Sequence, residues 1–187
     1  GLARQRNAKV VAHGEKSTVP YVRAFAFYMA AMTYVLMDEP GEAARLARAA
    51  MTISDAEGFP QFSATARIVL GRALVMQGRR KAGIAMMQDR LGRMTANRSQ
   101  NGQTMYLTWL AQSHLENRDL KAARAACDRA LSMNPAERFF RAETLRVRAL
   151  CCARPEQAAP YLHEALALAR ATPLSAEART RAAEIGR

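Results

Sequence analysis

Lysine is scarce in this chain. Four of its 28 basic residues are lysine (Lys9, Lys16, Lys81 and Lys121), and 24 are arginine. The net charge of +12 invites a nucleic-acid reading. The arginines, however, are spread one or two to a helix, and a GC-rich coding composition produces the same bias. No helix-turn-helix spacing, zinc-finger spacing or ribonucleoprotein aromatic motif accompanies them, so direct nucleic-acid binding is set aside. Cysteine is equally sparse. Cys127, Cys151 and Cys152 are an odd number without framework spacing, which excludes a disulfide scaffold and points to reduced thiols in a cytoplasmic protein. No Cys-x-x-Cys or His-x-x-x-His accompanies them, so they read as structural filler and no metal is expected. Long apolar runs are missing too. Tyr21–Met37 has 17 residues and includes Arg23 and Thr33, at the lower limit of the roughly 20 that cross a bilayer. The first 20 residues are polar and basic without an apolar core, so no secretory signal is read there. Neither G-x-x-x-x-G-K-[ST] nor a strained Gly-x-Ser-x-Gly turn occurs. No enzyme and no cofactor is therefore expected.

Alanine and regular spacing are what the chain has instead. Four stretches lie 35 to 40 residues apart and share one pattern, an apolar helix, a polar or Gly/Pro turn, and an alanine-rich second helix. The second helices place small residues at Ala43, Gly83, Ala123 and Ala158, followed at +4 by Ala47, Met87, Cys127 and Leu162. Residues four and then seven or eight apart share one stripe of a 3.6-residue helix, where a preceding helix can approach closely. Two helices per unit at this period mark a helical solenoid, a fold that binds more often than it reacts.

Turn signals set the boundaries. Residues 1–19 carry no clear period. His13–Thr18 reads as a loop, and the whole leading segment reads as such a loop or the tail of an upstream unit. The repeat domain spans 20–187. A first helix runs from Val19–Pro20 to about Met37 and ends at Asp38–Gly41, where the next one starts, since proline and acidic residues suit a helix start, and that one stops at Gly58–Pro60. The second pair covers about Gln61–Gln77 and Arg79–Thr95, hinged at Gly78. The third covers Gln103–Glu116 and Asp119–Met133, with Asp119 as N-cap. The fourth covers about Glu137–Ala153 and Pro155–Ala171, and Ser175–Ile185 is a final short helix. The expected fold is all-α, a right-handed helical solenoid of about four antiparallel helix pairs plus a terminal helix.

The first helices supply the other half of a signature. Leu70-Gly71 with Leu74, and Leu107, Leu110-Ala111 and His114, fit a relaxed W-x2-L-G-x2-Y pattern, as do Phe27, Ala30-Ala31 and Tyr34. The third unit matches best, through Asp119, Ala123, Ala130, Leu131 and Pro135. Over residues 20 to 171 the chain resembles a tetratricopeptide array. Two runs narrow this further. Ala56-Glu57-Gly58-Phe59-Pro60 leads into Val69–Leu74 and Gln77-Gly78-Arg79, and Pro135–Glu143 precedes Leu145–Arg148. They resemble the carboxy-terminal repeat region of bacterial signalling ATPases joined to class III adenylate or guanylate cyclases, or to LuxR-type or winged-helix transcriptional regulators. The resemblance implies a non-catalytic regulatory, sensory segment of a bacterial multidomain signalling or transcription-control protein. The alternative is a standalone scaffold or assembly adaptor that binds a peptide or protein partner.

In stacked helix pairs the first helices line the concave side. Residues beside the packing positions are then groove candidates: Tyr28, Arg72, Thr108, Trp109, Gln112 and Arg146. Arg72 and Arg146 suit a carboxylate or phosphate through two parallel hydrogen bonds. Trp109, the only tryptophan, reads equally as a peptide anchor or as a plug between repeats. The expected ligand is a protein or peptide. Tyr21–Met37 is apolar on every side and needs cover all round, from residues 1–19 or from a second copy in a homodimer.

Overall fold

The computed structural model describes residues 1–96, 102–133, 135 and 137–171. Within them the chain is entirely helix and turn. Unit 1, residues 1–97, holds α1 (Leu2–Lys16), α2 (Pro20–Leu36), α3 (Pro40–Ala56), α4 (Pro60–Met76) and α5 (Arg80–Ala96). Unit 2, residues 98–187, holds α6 (Gln103–Glu116), α7 (Leu120–Met133), α8 (Arg141–Leu150) and α9 (Pro155–Ala171). The expected terminal helix at Ser175–Ile185 lies outside the described residues, as do the polar residues Asn97–Asn101 and Asn134.

Four of the turns are built alike. Asp38, Gly58, Gly78 and Arg118 adopt left-handed backbone with φ of 59°, 72°, 85° and 62°. In each, the next N–H reaches back five residues: Glu39 to the Tyr34 carbonyl (2.9 Å), Phe59 to Ser54 (2.8 Å), Arg79 to Leu74 (2.9 Å) and Asp119 to His114 (2.8 Å). These bonds satisfy carbonyls that a helix C-terminus leaves without partners. Pro20, Pro40 and Pro60 then open the following helices at the first helical position, where the missing N–H costs nothing and φ is already helical. Helix plus turn is thus a 20-residue module in α2, α3 and α4, and α5 begins on the same beat at Arg80. At Asp119 the expected cap is present, its Oδ1 accepting the Ala122 N–H at 3.0 Å.

Each helix packs on its sequence neighbour within its unit, and the first helices of successive pairs also touch, α2 with α4 and α6 with α8. Small residues make this close packing possible. Ala30, Ala43, Ala47 and Ala50 are wholly buried. The α4–α5 crossing is closer still, because it joins two glycines. A Cβ on Gly71 would lie 2.8 Å from the Gly83 carbonyl oxygen and 2.7 Å from Met87 Cγ.

Two boundaries differ from the sequence reading. His13–Lys16 is helical rather than a loop, and Gly14 is a crossing point. A Cβ there would sit 3.0 Å from Ala26 Cβ and from the Phe27 ring. With Asn7 donating to the Ala30 carbonyl at 3.1 Å and Arg4 paired with Glu39 at 2.7 Å, α1 supplies part of the cover that α2 requires. In the fourth pair, α8 starts at Arg141 rather than Glu137. The Glu137 carboxylate accepts the Phe140 N–H at 2.9 Å, and the chain turns there before the helix begins.

Candidate binding surface

Unit 1 gathers aromatic side chains on the face where α2 and α4 meet. On α2, Tyr21, Phe25, Tyr28 and Met32 recur at +4, +7 and +11 and share one stripe. On α4, Phe62 lies at the centre, its ring centroid 5.0 Å from Tyr21, 5.8 Å from Phe25 and 6.4 Å from both Tyr28 and Phe59. Tyr21 closes the set with an edge contact to Phe59 at 5.6 Å. Tyr28 stacks on Phe62 at 22° between planes, and its hydroxyl donates weakly to Met32 Sδ at 3.8 Å.

The cluster is not a closed core. Tyr21 is 54% and Phe25 45% exposed, while Tyr28, Phe59 and Phe62 are half-buried. Each ring contact holds its neighbour in a fixed orientation, so a ligand meets a preformed surface with little side-chain freedom left to lose. Such a surface offers ring faces to apolar or proline side chains. Arg72 is half-buried on α4, ten residues beyond Phe62.

The other candidates lie in unit 2, and there the first-helix side chains are turned inward. Thr108 is fully buried, sharing a 2.7 Å hydrogen bond with the Thr144 hydroxyl of α8. Its own hydroxyl also reaches the Thr104 carbonyl at 2.8 Å. Trp109 is 2% exposed and packs against Tyr106 at 5.9 Å and edge-on against Phe140 at 6.4 Å. Its burial is that of a core plug rather than an anchor open to a ligand. Gln112 and Arg146 do come together, but on a carboxylate of their own chain. Gln112 Nε2 donates to Glu143 Oε1 at 2.6 Å. Arg146 grips the same group bidentately, Nε to Oε2 at 2.8 Å and Nη2 to Oε1 at 2.7 Å. The Arg146 and Glu143 side chains are only 11% and 14% exposed, so the fork expected to hold a ligand anion is engaged internally.

His114 is buried under the α6–α7 turn, 3.8 Å from Asp119 Oδ2. Burial lowers its pKa below the usual imidazole value, and Asp119 partly opposes that shift. His163 is exposed, and its neighbour Glu164 pairs with Arg141 at 3.0 Å. No group of three or more metal-ligating side chains is assembled among the described residues, and no described helix is long and apolar enough to cross a membrane.

Tyr28 connects the sequence-derived groove to the aromatic surface. Tyr21, Phe25, Phe59 and Phe62 were not among the candidates, although the Tyr21–Phe25–Tyr28–Met32 spacing carries the α2 half of the signal. No protein-family model matches the chain, and neither does any curated protein.

Proposed function

We propose that the chain is a non-catalytic protein-interaction module of tetratricopeptide type, which holds an extended peptide segment of a partner on the aromatic face of α2 and α4. The observation that carries this reading is the five-ring cluster. Fixed aromatic side chains left partly exposed form the kind of patch that concentrates binding energy in interfaces. The internal pairing of Arg146 and the burial of Trp109 concentrate the proposal on unit 1. The tetratricopeptide resemblance of residues 20 to 171, with the runs at Ala56–Pro60 and Pro135–Glu143, supports a regulatory role within a bacterial multidomain signalling or transcription-control protein.

The test is a displayed-peptide selection against the immobilised chain, counter-screened on a Tyr21→Ala/Phe25→Ala double variant. Both side chains are substantially exposed, so the variant keeps its helical circular dichroism. Selected peptides are expected to lose about tenfold or more in affinity, roughly 1.4 kcal/mol for the pair. Peptides that bind both proteins equally would remove the aromatic face from the function. Turnover of ATP, or nucleotide cyclisation, that scales with the concentration of this chain would overturn the non-catalytic part.

A further inference from the structure

Cys127 on α7 and Cys151 at the end of α8 are well separated in sequence but close in unit 2. Two contacts from α7 bracket Cys127 and carry it to the last turn of α8. One turn before it, Arg124 Nη2 donates to the Cys151 carbonyl at 2.8 Å. One residue after it, Asp128 Oδ1 accepts from Arg148 Nε at 2.6 Å. Cys127 lies between these ties and is 0% exposed, and Cys151, which ends α8, is 1% exposed. Cys127 and Cys151 interact directly, each shifting the ionisation of the other. The Cys151 thiol donates to the Val147 carbonyl at 3.3 Å. Cys152 is turned elsewhere. It is half-buried, receives Arg148 Nη1 at 3.5 Å and approaches the Gln157 carbonyl at 3.5 Å.

We propose that Cys127 and Cys151 form an oxidation site, at which a hydroperoxide converts the two thiols to a disulfide tying α7 to the end of α8.

The roles of the two sulfurs differ because their surroundings differ. Cys151 is held below the usual thiol range, first by the hydrogen bond from Cys127 and then, against its burial, by the Arg148 and Arg124 guanidinium groups. Cys127 is held far above that range, by the same hydrogen bond and by burial. Cys151 is therefore the more readily ionised of the two, and its thiolate form is the attacking group. Its sulfur displaces hydroxide from the peroxide, forming an S–O bond as the O–O bond breaks, and the hydroxide leaves as water after taking a proton. The sulfenic acid then faces Cys127. That sulfur attacks, the S–S bond forms, the S–O bond breaks, and the departing hydroxide takes the Cys127 proton as a second water. Two thiols are oxidised and one hydroperoxide is reduced. Cys151 stands where the ten-residue α8 gives way to a turn, so local fraying of a helix end is enough to admit a small oxidant.

Mapping the folded chain after treatment with hydrogen peroxide tests this. After alkylation and non-reducing digestion, the expected product is a Cys127–Cys151 linked peptide with Cys152 still alkylated, reversed by dithiothreitol. A chain in which Cys152 is oxidised while Cys127 and Cys151 remain free thiols would overturn the proposal. So would one that reacts only after denaturation. In Cys127→Ser the resolving thiol is gone, and dimedone labelling of Cys151 is expected to rise severalfold over the parent. Labelling confined to Cys152 would again overturn it. Should Cys127→Ser fail to fold, the mapping of the parent chain together with Cys152→Ser decides, since that variant must still form the same linked peptide.

Discussion

Unit 1 joins the two helices of a pair through small residues, and unit 2 joins successive first helices through polar side chains. In unit 1, α4 and α5 approach until Gly71 and Gly83 meet backbone to backbone, and alanines fill the α2–α3 contact. In unit 2 the α6–α8 contact is tied by side chains, with Thr108 on Thr144, and Gln112 and Arg146 on Glu143. Backbone-close packing leaves no room for polar groups between helices. A contact mediated by side chains admits them, and burial then favours pairing them. The difference also separates the functional readings. Unit 1 keeps its aromatic rings partly in solvent, whereas unit 2 draws its tryptophan and its Arg146 fork inward.

Removing the carboxylate at the centre of unit 2 breaks the comparison most sharply. Glu143→Ala takes away the partner of both Gln112 and the largely buried Arg146 guanidinium, and is expected to cost about 3 kcal/mol. The matched change in unit 1, Glu42→Ala, removes an exposed partner of Arg45 and should cost under about 1 kcal/mol. Urea unfolding of both variants gives the two values, and near-equal losses would dissolve the distinction. Second in size, Gly83→Ala should destabilise by about 2 kcal/mol. Its new Cβ would stand 2.7 Å from Val75 Cγ2 and 3.0 Å from the Val75 nitrogen, an overpacking cost larger than the gain in helix propensity. On the same helix Gly92 has open space around its Cα, so Gly92→Ala should stabilise by up to about 1 kcal/mol. A thermal-melt comparison of the two variants tests the sign of each. Smaller again, Arg118→Gly relieves a left-handed backbone that Gly58 and Gly78 carry without strain, and should add about 0.5–1 kcal/mol after the entropy of the unfolded glycine is counted.

The smallest effect is a pH dependence. His114 has a folded pKa below its unfolded value of about 6.5, because burial disfavours the cation. Its neutral form therefore contributes stability that is fully present above that unfolded value and is lost as pH falls through the depressed folded pKa. His114→Gln should flatten the midpoint of unfolding between neutral and mildly acidic pH. A slope identical to the parent's would show that other groups set it.

Most helix boundaries were legible because the chain marks them chemically. Pro20, Pro40 and Pro60 open helices, Gly58 and Gly78 close them, and Asp119 caps one. Where the marks mislead, a tertiary contact is the cause. Gly14 reads as a turn residue, yet it is the point at which α1 touches Ala26 and Phe27. Glu137 reads as a helix start, yet its carboxylate bonds the Phe140 N–H and delays the helix. The binding surface was half legible. Spacing on one helix predicts a stripe such as Tyr21–Phe25–Tyr28, but that Phe62 of the next first helix sits under it depends on how α2 and α4 are set against each other. Likewise, Arg146 reads as an anion anchor until Glu143, three residues away on the same helix, is seen to occupy it.

The 20-residue module has a kinetic consequence. Packing among the described residues joins helices that are adjacent or next-but-one in sequence, so no contact waits on closing a loop much longer than two modules. A chain with such local pairings has a small entropic barrier to each step and many equivalent places to begin. Each unit is thus expected to fold on the fast side for its length, with assembly spreading outward from whichever helix pair docks first.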